Sequence, residues 1–482
     1  MGLRNPYADS GDSRNPVTRT SRYKLAGNAV NGYVKFRLRP TPEHQQEQTR
    51  VTSGLPFLSS ASVGMAMHHR QKRRKTSPPR EKITYISRDF GNVSKLNGDD
   101  WKLFKFYTVG YCDGRTILPN GNYWLSEFPS IAAEDDSIKH ALLALAGAYL
   151  LDYFNSDALR RRTVNWELRK SNGEEPHWLR GAYLAKSILD HTDPGYRYWK
   201  PENVQCSRAR ASNGNIVAQT CILAQIVLPL PADEDCSGFG WLLEGTARET
   251  RRIRSTGLCP KLLHYFHVIT SLCGRLKHDP QSEMPPRVGE RLLEQLDNFR
   301  QWSELSEGCK TTDELFASCR PDRDGKVSDD KAKVVELTAE SWVWCAKIYL
   351  QCRLFRKPYT HPDVRAALAV LRRCLQLLPF EGGLFTSQFP FFAVALASLL
   401  ARTEADRVLP RAWFKGLVAE AKCRSSVPPV WDTIQKMWEW MDASFADLDE
   451  SYDEAQIVSE RRDWWEEMVT WLLQNFGYMH LA

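Results

Sequence analysis

Residues 333–357 have the sequence KVVELTAESWVWCAKIYLQCRLFRK. Five of its apolar residues recur on one side at helical spacing: Leu337, Trp344, Ile348, Cys352 and Phe355. Spacings of three, four and seven residues bring side chains to one face of an α-helix. Pro358 follows the stretch, and helices usually end before a proline. The stretch therefore predicts a long helix packed against a core.

The same period recurs along the chain. Four further stripes share it: Ile138, Leu142, Leu145 and Tyr149; Val364, Leu368, Leu371, Leu375 and Leu378; Ile434, Trp438, Met441 and Phe445; Trp465, Val469, Leu472 and Phe476. Weaker patterns predict helices at 178–190, 215–228, 239–256, 261–276, 288–302, 386–402 and 408–422, with long loops near 191–212, 229–237 and 303–330. Because this body holds no succession of alternating strands, we predict an all-α fold of about a dozen helices.

Charge divides the chain into two parts. Residues 1–88 contain seventeen Lys and Arg but only five Asp and Glu, whereas the remaining residues contain forty-eight and fifty-three. The first part is also rich in Ser, Pro, Asn and Gln, and lacks sustained periodicity, apart from an alternating piece at 33–39 that has no obvious partner strand. We predict a disordered basic tail over residues 1–88 and a helical domain over residues 89–482.

Hydropathy and cysteine usage indicate a soluble intracellular protein. The longest apolar run, residues 141–151, has eleven residues, whereas a membrane span needs about twenty. The first residues show no apolar run of the kind found in secretory signals. The twelve cysteines are scattered through apolar segments, so we expect reduced thiols rather than a disulfide framework.

Catalytic motifs are mostly absent. The chain has no nucleophile elbow, no phosphate-binding P-loop, no dinucleotide glycine fingerprint and no paired-histidine zinc helix. Two acidic pairs, Asp135-Asp136 and Asp329-Asp330, leave open a magnesium site of the terpene-cyclase type. Each pair is followed by a lysine where another carboxylate is needed. We therefore interpret both as acids at helix starts, where they suit the helix dipole.

Four residues of zinc-ligand type lie close together in sequence: Cys259, His264, His267 and Cys273. His264 and His267 would share a helix face, but Cys273 would point about 240° around the helix from His267. Apolar residues fill the space between them. A packed core helix is the favoured interpretation over a metal site.

A basic run is the strongest local signal. Lys72, Arg73, Arg74 and Lys75 lie in a Pro- and Ser-rich setting. Such a run matches a nuclear-import signal and also suits contacts to the DNA backbone, whereas its plainest interpretation is a solvated charge cluster. The tail has no recognition helix and no zinc-binding cysteines, so its affinity for DNA would not depend on sequence.

The body resembles the regulatory domain of fungal transcription factors of the binuclear zinc-cluster class. The resemblance covers residues 95–482 and rests on four groups of segments: 137–150; 346–350 with Arg353-Leu354; 389–395 with Asp406-Arg407; and 463–468 with Phe476-Gly477. It implies a nuclear transcriptional regulator that controls RNA polymerase II transcription. Its expected partners are DNA, bound directly or through a partner factor, the transcription machinery, a small-molecule effector and a second copy of the chain.

Zinc is expected for that family, but its six ligands are missing here because no cysteine precedes Cys112. Either the protein works without its own zinc module or the sequence is incomplete. We expect no catalytic residues, no bound cofactor and no membrane contact. Two alternatives stay open: a helical enzyme of secondary metabolism, and a nuclear scaffold without a role on DNA.

Overall fold

The structure is a computed structural model. It describes four strand segments between residues 23 and 40, and then residues 96–479 apart from 113–117, 119–121, 155–175, 193–207, 231–237, 244, 255–256, 328–329, 380–390, 420–426, 446 and 449–451. The chain divides into two units, Met1–Lys82 and Ile83–Ala482.

In the first unit, β1 (Tyr23–Ala26) pairs antiparallel with β4 (Arg37–Pro40), and β2 (Ala29–Val30) with β3 (Tyr33–Val34). The piece at 33–39 thus contributes two strands that pair with segments just before it, which the sequence analysis did not find. The predicted disorder of the other residues up to 88 lies outside the described residues.

Four helices open the second unit. They are α1 (Gly98–Phe106), which continues as a π-turn over Tyr107–Tyr111, α2 (Tyr123–Ser126), α3 (Phe128–Glu134) and α4 (Asp136–Phe154). They enclose a small apolar cluster, the satellite cluster: Phe104, Tyr107, Tyr111, Cys112, Ala132, Leu142, Leu143 and Ala146.

Eleven further helices are described. They are α5 (His177–Thr192), α6 (Arg208–Ile226), α7 (Pro260–His278), α8 (Met284–Asp297), α9 (Thr312–Ser318), α10 (Lys331–Tyr349), α11 (Pro362–Leu377), α12 (Phe391–Leu399), α13 (Glu404–Ala419), α14 (Val427–Ser444) and α15 (Trp464–Phe476). Buried residues of α6–α15, with partly buried ones of α5, form one large cluster, the main core. The predicted all-α fold is confirmed for this unit.

Helix α10 lies at the centre of the main core, and the long helix predicted from residues 333–357 is confirmed. It packs against α7, α8, α9, α11 and α12. It continues as a π-turn over Leu350–Leu354 and stops before Pro358, with Arg356 in the left-handed region at φ 53°. The predicted single apolar face is wrong, because the helix is buried almost all round and Trp344 lies at its partly exposed edge. A central helix meets neighbours on every side.

One predicted helix and one predicted loop are wrong. In place of a helix at 239–256 the structure has short 3-10 turns, Gly240–Leu243 and Glu249–Arg251. The backbone then leaves the helical path, because Ile253 N–H donates to Trp302 C=O and Trp302 N–H to Arg251 C=O. The predicted loop at 303–330 contains α9, whose N-cap Thr311 accepts from Glu314 N–H. A threonine followed three residues later by glutamate is a capping signal that sequence reasoning could have used.

Candidate functional site

The strongest predicted site residues, Lys72, Arg73, Arg74 and Lys75, lie outside the described residues. Their role in nuclear import or DNA contact stays a prediction. Among the helices that the structure describes, none combines the length and hydrophobicity that a membrane crossing requires.

One acid of each pair caps a helix. Asp135 accepts hydrogen bonds from the backbone N–H groups of Ser137 and Ile138, at 2.8 and 3.2 Å. Asp330 does the same for Lys333 at 3.1 Å, while Asp329 lies outside the described residues. A carboxylate used in this way satisfies donors that the first helical turn leaves open. The interpretation as acids at helix starts is confirmed for Asp135 and Asp330.

The cysteine and histidine group also belongs to a packed helix. Cys259 immediately precedes α7, and His267 and Cys273 are buried within it. Burial, with smaller contributions from His267 and Lys261, lowers the pKa of His264 to about 4, so this imidazole is neutral near pH 7. Over the described part of the chain, no cluster of three or more His, Cys, Asp or Glu side chains is arranged to hold a metal ion. The core-helix interpretation is confirmed.

Zinc therefore has no set of ligands among the described residues. Each of the nine described cysteines is a free thiol, and seven of them are buried. Burial raises the pKa of Cys221, Cys259 and Cys273 to about 12. Zinc binds the thiolate, so protonated thiols spread through a core do not suit it.

A polar cleft opens beside the start of α10. Its walls are the turns at 303–311, the beginning of α9 and one face of α10. The Gln301 side chain links two segments beside the cleft. It accepts a hydrogen bond from Cys259 N–H at 2.7 Å and donates one to Ala339 C=O at 2.6 Å. The lining residues are Ile253, Arg300, Gln301, Ser306, Cys309, Thr311, Leu315, Glu336, Ala339, Glu340 and Val343.

Buried charges concentrate at this cleft. The Lys333 side chain is only 2% exposed, and its ammonium donates to Glu307 at 2.8 Å, to Glu336 at 3.0 Å and to the Cys309 sulfur at 3.9 Å. Burial alone would lower the pKa of Lys333, but the two carboxylates outweigh it and raise that pKa above its ordinary value. The ammonium thus sits between two carboxylates and a thiol and donates a hydrogen bond to each of them, so this buried charge is paired.

A second charge pair faces the same cleft. Glu340 accepts from the Thr312 hydroxyl at 2.6 Å and from the Trp344 indole at 2.9 Å. Its other oxygen lies 3.8 Å from the Arg300 guanidinium. Water-sized space in the cleft amounts to about 30 Å³, which suits one or two water molecules and not a metabolite. A larger effector would need the cleft to open.

The end of α10 holds a second buried polar group, the Arg353 junction, formed by Arg353, Tyr349, Thr270 and Glu466. The Arg353 side chain is fully buried and binds Glu466 at 2.6 Å. It also donates to the carbonyls of Gln225 and Leu228, at 2.6 and 2.8 Å, just at and beyond the end of α6. A cation at a helix C-terminus satisfies carbonyls that have no partner within the helix.

The rest of the junction ties three helices together. The Tyr349 hydroxyl accepts from Arg353 and is 2.8 Å from the hydroxyl of Thr270 on α7. Glu466 also accepts from Leu230 N–H at 3.3 Å. Sequence reasoning missed Arg353 and Lys333. The available signal was a charged residue inside an otherwise apolar helical stretch, which in a buried helix demands a partner.

Comparison of the chain with known protein families identifies the class of protein. The family model described as the fungal specific transcription factor domain matches residues 172–473, well over half of the chain. The chain belongs to this family. No curated protein and no solved structure matches it. The match covers α5–α15, so the resemblance of residues 137–150 lies outside it.

Proposed function

We propose that the protein is a nuclear regulator of RNA polymerase II transcription that acts by binding and not by catalysis. The observation that carries the proposal is the family match over α5–α15. In each of the two acidic pairs that suggested an enzyme, one carboxylate, Asp135 or Asp330, caps a helix. The basic run at 72–75 supports entry into the nucleus.

We assign DNA contact to the tail or to a partner factor. The tail supplies a local excess of positive charge, which gives affinity for phosphates without sequence specificity. The helical body supplies the regulatory contacts, with the transcription machinery, a small effector or a second copy of the chain as partners. The present cleft suits water, so an effector would bind by a change in shape.

Nuclear entry is tested with a fluorescent fusion of the full chain. Replacing Lys72, Arg73, Arg74 and Lys75 by alanine should lower the ratio of nuclear to cytoplasmic fluorescence several-fold. A matched variant removes the same amount of charge elsewhere in the tail, at Arg4, Arg14, Arg19 and Arg22, and should stay nuclear. If both variants enter the nucleus like the parent, the import role is wrong.

Regulation is tested by tethering. Residues 89–482 are fused to an unrelated DNA-binding module upstream of a reporter, with the module alone as control. A change in reporter output in either direction supports a regulator. Unchanged output from a fusion that circular dichroism proves to be helical would favour the scaffold alternative. Turnover of isoprenoid diphosphates that stops in Asp135→Ala would support the enzyme alternative instead.

A further inference from the structure

Cys309 differs from the other described cysteines in its surroundings. It lines the polar cleft and is partly exposed, as is Cys319, whereas the other seven are buried. Gly308 precedes it at φ 85°, a left-handed turn that favours glycine. Two partly exposed thiols therefore lie at the two ends of α9, near a cleft that admits water.

A buried ammonium approaches the Cys309 thiol. Lys333 holds Glu307 and Glu336 with two of its protons and faces the Cys309 sulfur at 3.9 Å. A thiolate at this position would accept a charge-assisted hydrogen bond from a group that water does not reach. Thiols that react sit in partly exposed places beside a cation, whereas buried thiols are inert.

A second thiol is placed to follow the first. The Cys309 sulfur lies 3.9 Å from the Ser318 hydroxyl, and Cys319 is the next residue. The Cys319 thiol donates to Leu315 C=O at 3.3 Å. Burial raises the pKa of the Cys319 thiol above its ordinary value, although Lys333 opposes this.

We propose that Cys309 is a modification site, oxidised by hydrogen peroxide to a sulfenic acid, which Cys319 then converts into a disulfide. In the first step the Cys309 sulfur attacks one peroxide oxygen, the O–O bond breaks and hydroxide leaves, so sulfur is oxidised and peroxide is reduced. In the second step the Cys319 sulfur attacks the Cys309 sulfur, the S–O bond breaks and water leaves.

The modification would act on the central helix. Oxidation of Cys309 places an oxygen on the sulfur that faces the Lys333 ammonium. Closing the disulfide uses the Cys319 sulfur and so ends its hydrogen bond to Leu315 C=O at the end of α9. Lys333 lies in the first turn of α10, which is the centre of the main core. The inference extends beyond the proposed function and does not depend on it.

The test uses the full chain, hydrogen peroxide and a sulfenic-acid trap such as dimedone, with mass spectrometry of peptides to resolve each cysteine. Residue resolution matters because Cys206, Cys236 and Cys423 lie outside the described residues. We expect Cys309 to be oxidised at least about tenfold faster than the buried Cys345 and Cys374 of the same molecules. Equal rates at these three positions would overturn the proposal.

Two variants separate the steps. Cys319→Ser should accumulate the trapped sulfenic acid at Cys309, whereas the parent should yield the disulfide between residues 309 and 319. Cys374→Ser, which removes a buried thiol, is the matched control and should behave like the parent. A sulfenic acid that persists as long in the parent as in Cys319→Ser would rule out the resolving role.

Discussion

The main core and the satellite cluster are built on different principles. The main core encloses two charged groups, Lys333 and Arg353, and each has a partner from another segment of the chain, Glu307 and Glu466 respectively. The satellite cluster contains a row of stacked aromatic rings on α1 and its π-turn, which runs from the exposed Trp101 through Phe104 and Tyr107 to Tyr111 at centroid distances of 5.4–6.3 Å. Only the main core lies within the family match.

This difference indicates which of the two regions constrains the packing of the helices more strictly. A buried charge tolerates one arrangement of partners, because each alternative leaves it unpaired in a medium of low polarity. Stacked aromatic rings, by contrast, are stabilised at many lateral offsets of one ring over the other. We therefore expect substitutions in the main core to act on the whole body, and those in the satellite cluster to act locally.

The largest effect is expected at the Arg353 junction. Arg353→Met should lower the free energy of unfolding by about 3–5 kcal/mol, because it leaves Glu466 and the carbonyls beyond α6 without their partner. Urea unfolding followed by circular dichroism measures this. The double variant Arg353→Met with Glu466→Gln should recover part of the loss, since it removes the orphaned charge. A loss below about 1 kcal/mol in the single variant would contradict the role given to this junction.

The satellite cluster offers the counterpart. Tyr107 is fully buried and its hydroxyl donates to Trp124 C=O at 2.7 Å. Tyr107→Ala should lower the free energy of unfolding of α1–α4 by about 3–4 kcal/mol. The other helices should keep their stability. Hydrogen exchange should therefore rise in residues 98–112 and 123–147 and stay unchanged in α10 and α11. Equal acceleration in α10 would mean that the two regions unfold together.

Acid should weaken the main core through His264. The pKa of this imidazole is about 4 in the folded protein, against 6.5 ordinarily, so the unfolded chain binds the proton first as the pH falls. Stability is therefore complete above about pH 6.5 and falls by about 2–3 kcal/mol toward pH 4. His264→Gln should flatten that part of the stability profile.

The smallest effects come from a matched set of glycines. A Cβ at Gly289 would lie 2.6 Å from the buried Leu354 side chain, so Gly289→Ala should cost about 1–3 kcal/mol. A Cβ at Gly110 would lie 2.8 Å from the ring of Phe106, which is only half-buried and can turn away, so Gly110→Ala should cost less. Gly274 has open space around it, and Gly274→Ala should gain about 0.5–1 kcal/mol. Thermal unfolding measures the stability of the three variants. A larger loss of stability in Gly110→Ala than in Gly289→Ala would contradict this prediction.

Much of the fold was predictable because helices are local. The stripe from Val364 to Leu378 predicted α11, and Pro362 at its first turn marked the start. The helix predicted at 239–256 was wrong. Its helical period competes with backbone hydrogen bonds to Trp302, a residue about fifty positions away. The candidate site was not predicted, since Lys333, Cys309 and Glu307 have no common motif and meet only in the folded chain.

The sequence by itself determined the helical class, the helix starts at Asp135 and Asp330, the excess of basic residues before residue 89 and the family resemblance. These depend on period, capping and charge, which act over a few residues. Only the tertiary structure decided that α10 is buried almost all round, that Arg353 binds Glu466 at a separation of 113 residues, and that Lys333 approaches a thiol. Such pairings depend on how helices pack, and the energy of a buried charge is set by its neighbours in space rather than in sequence.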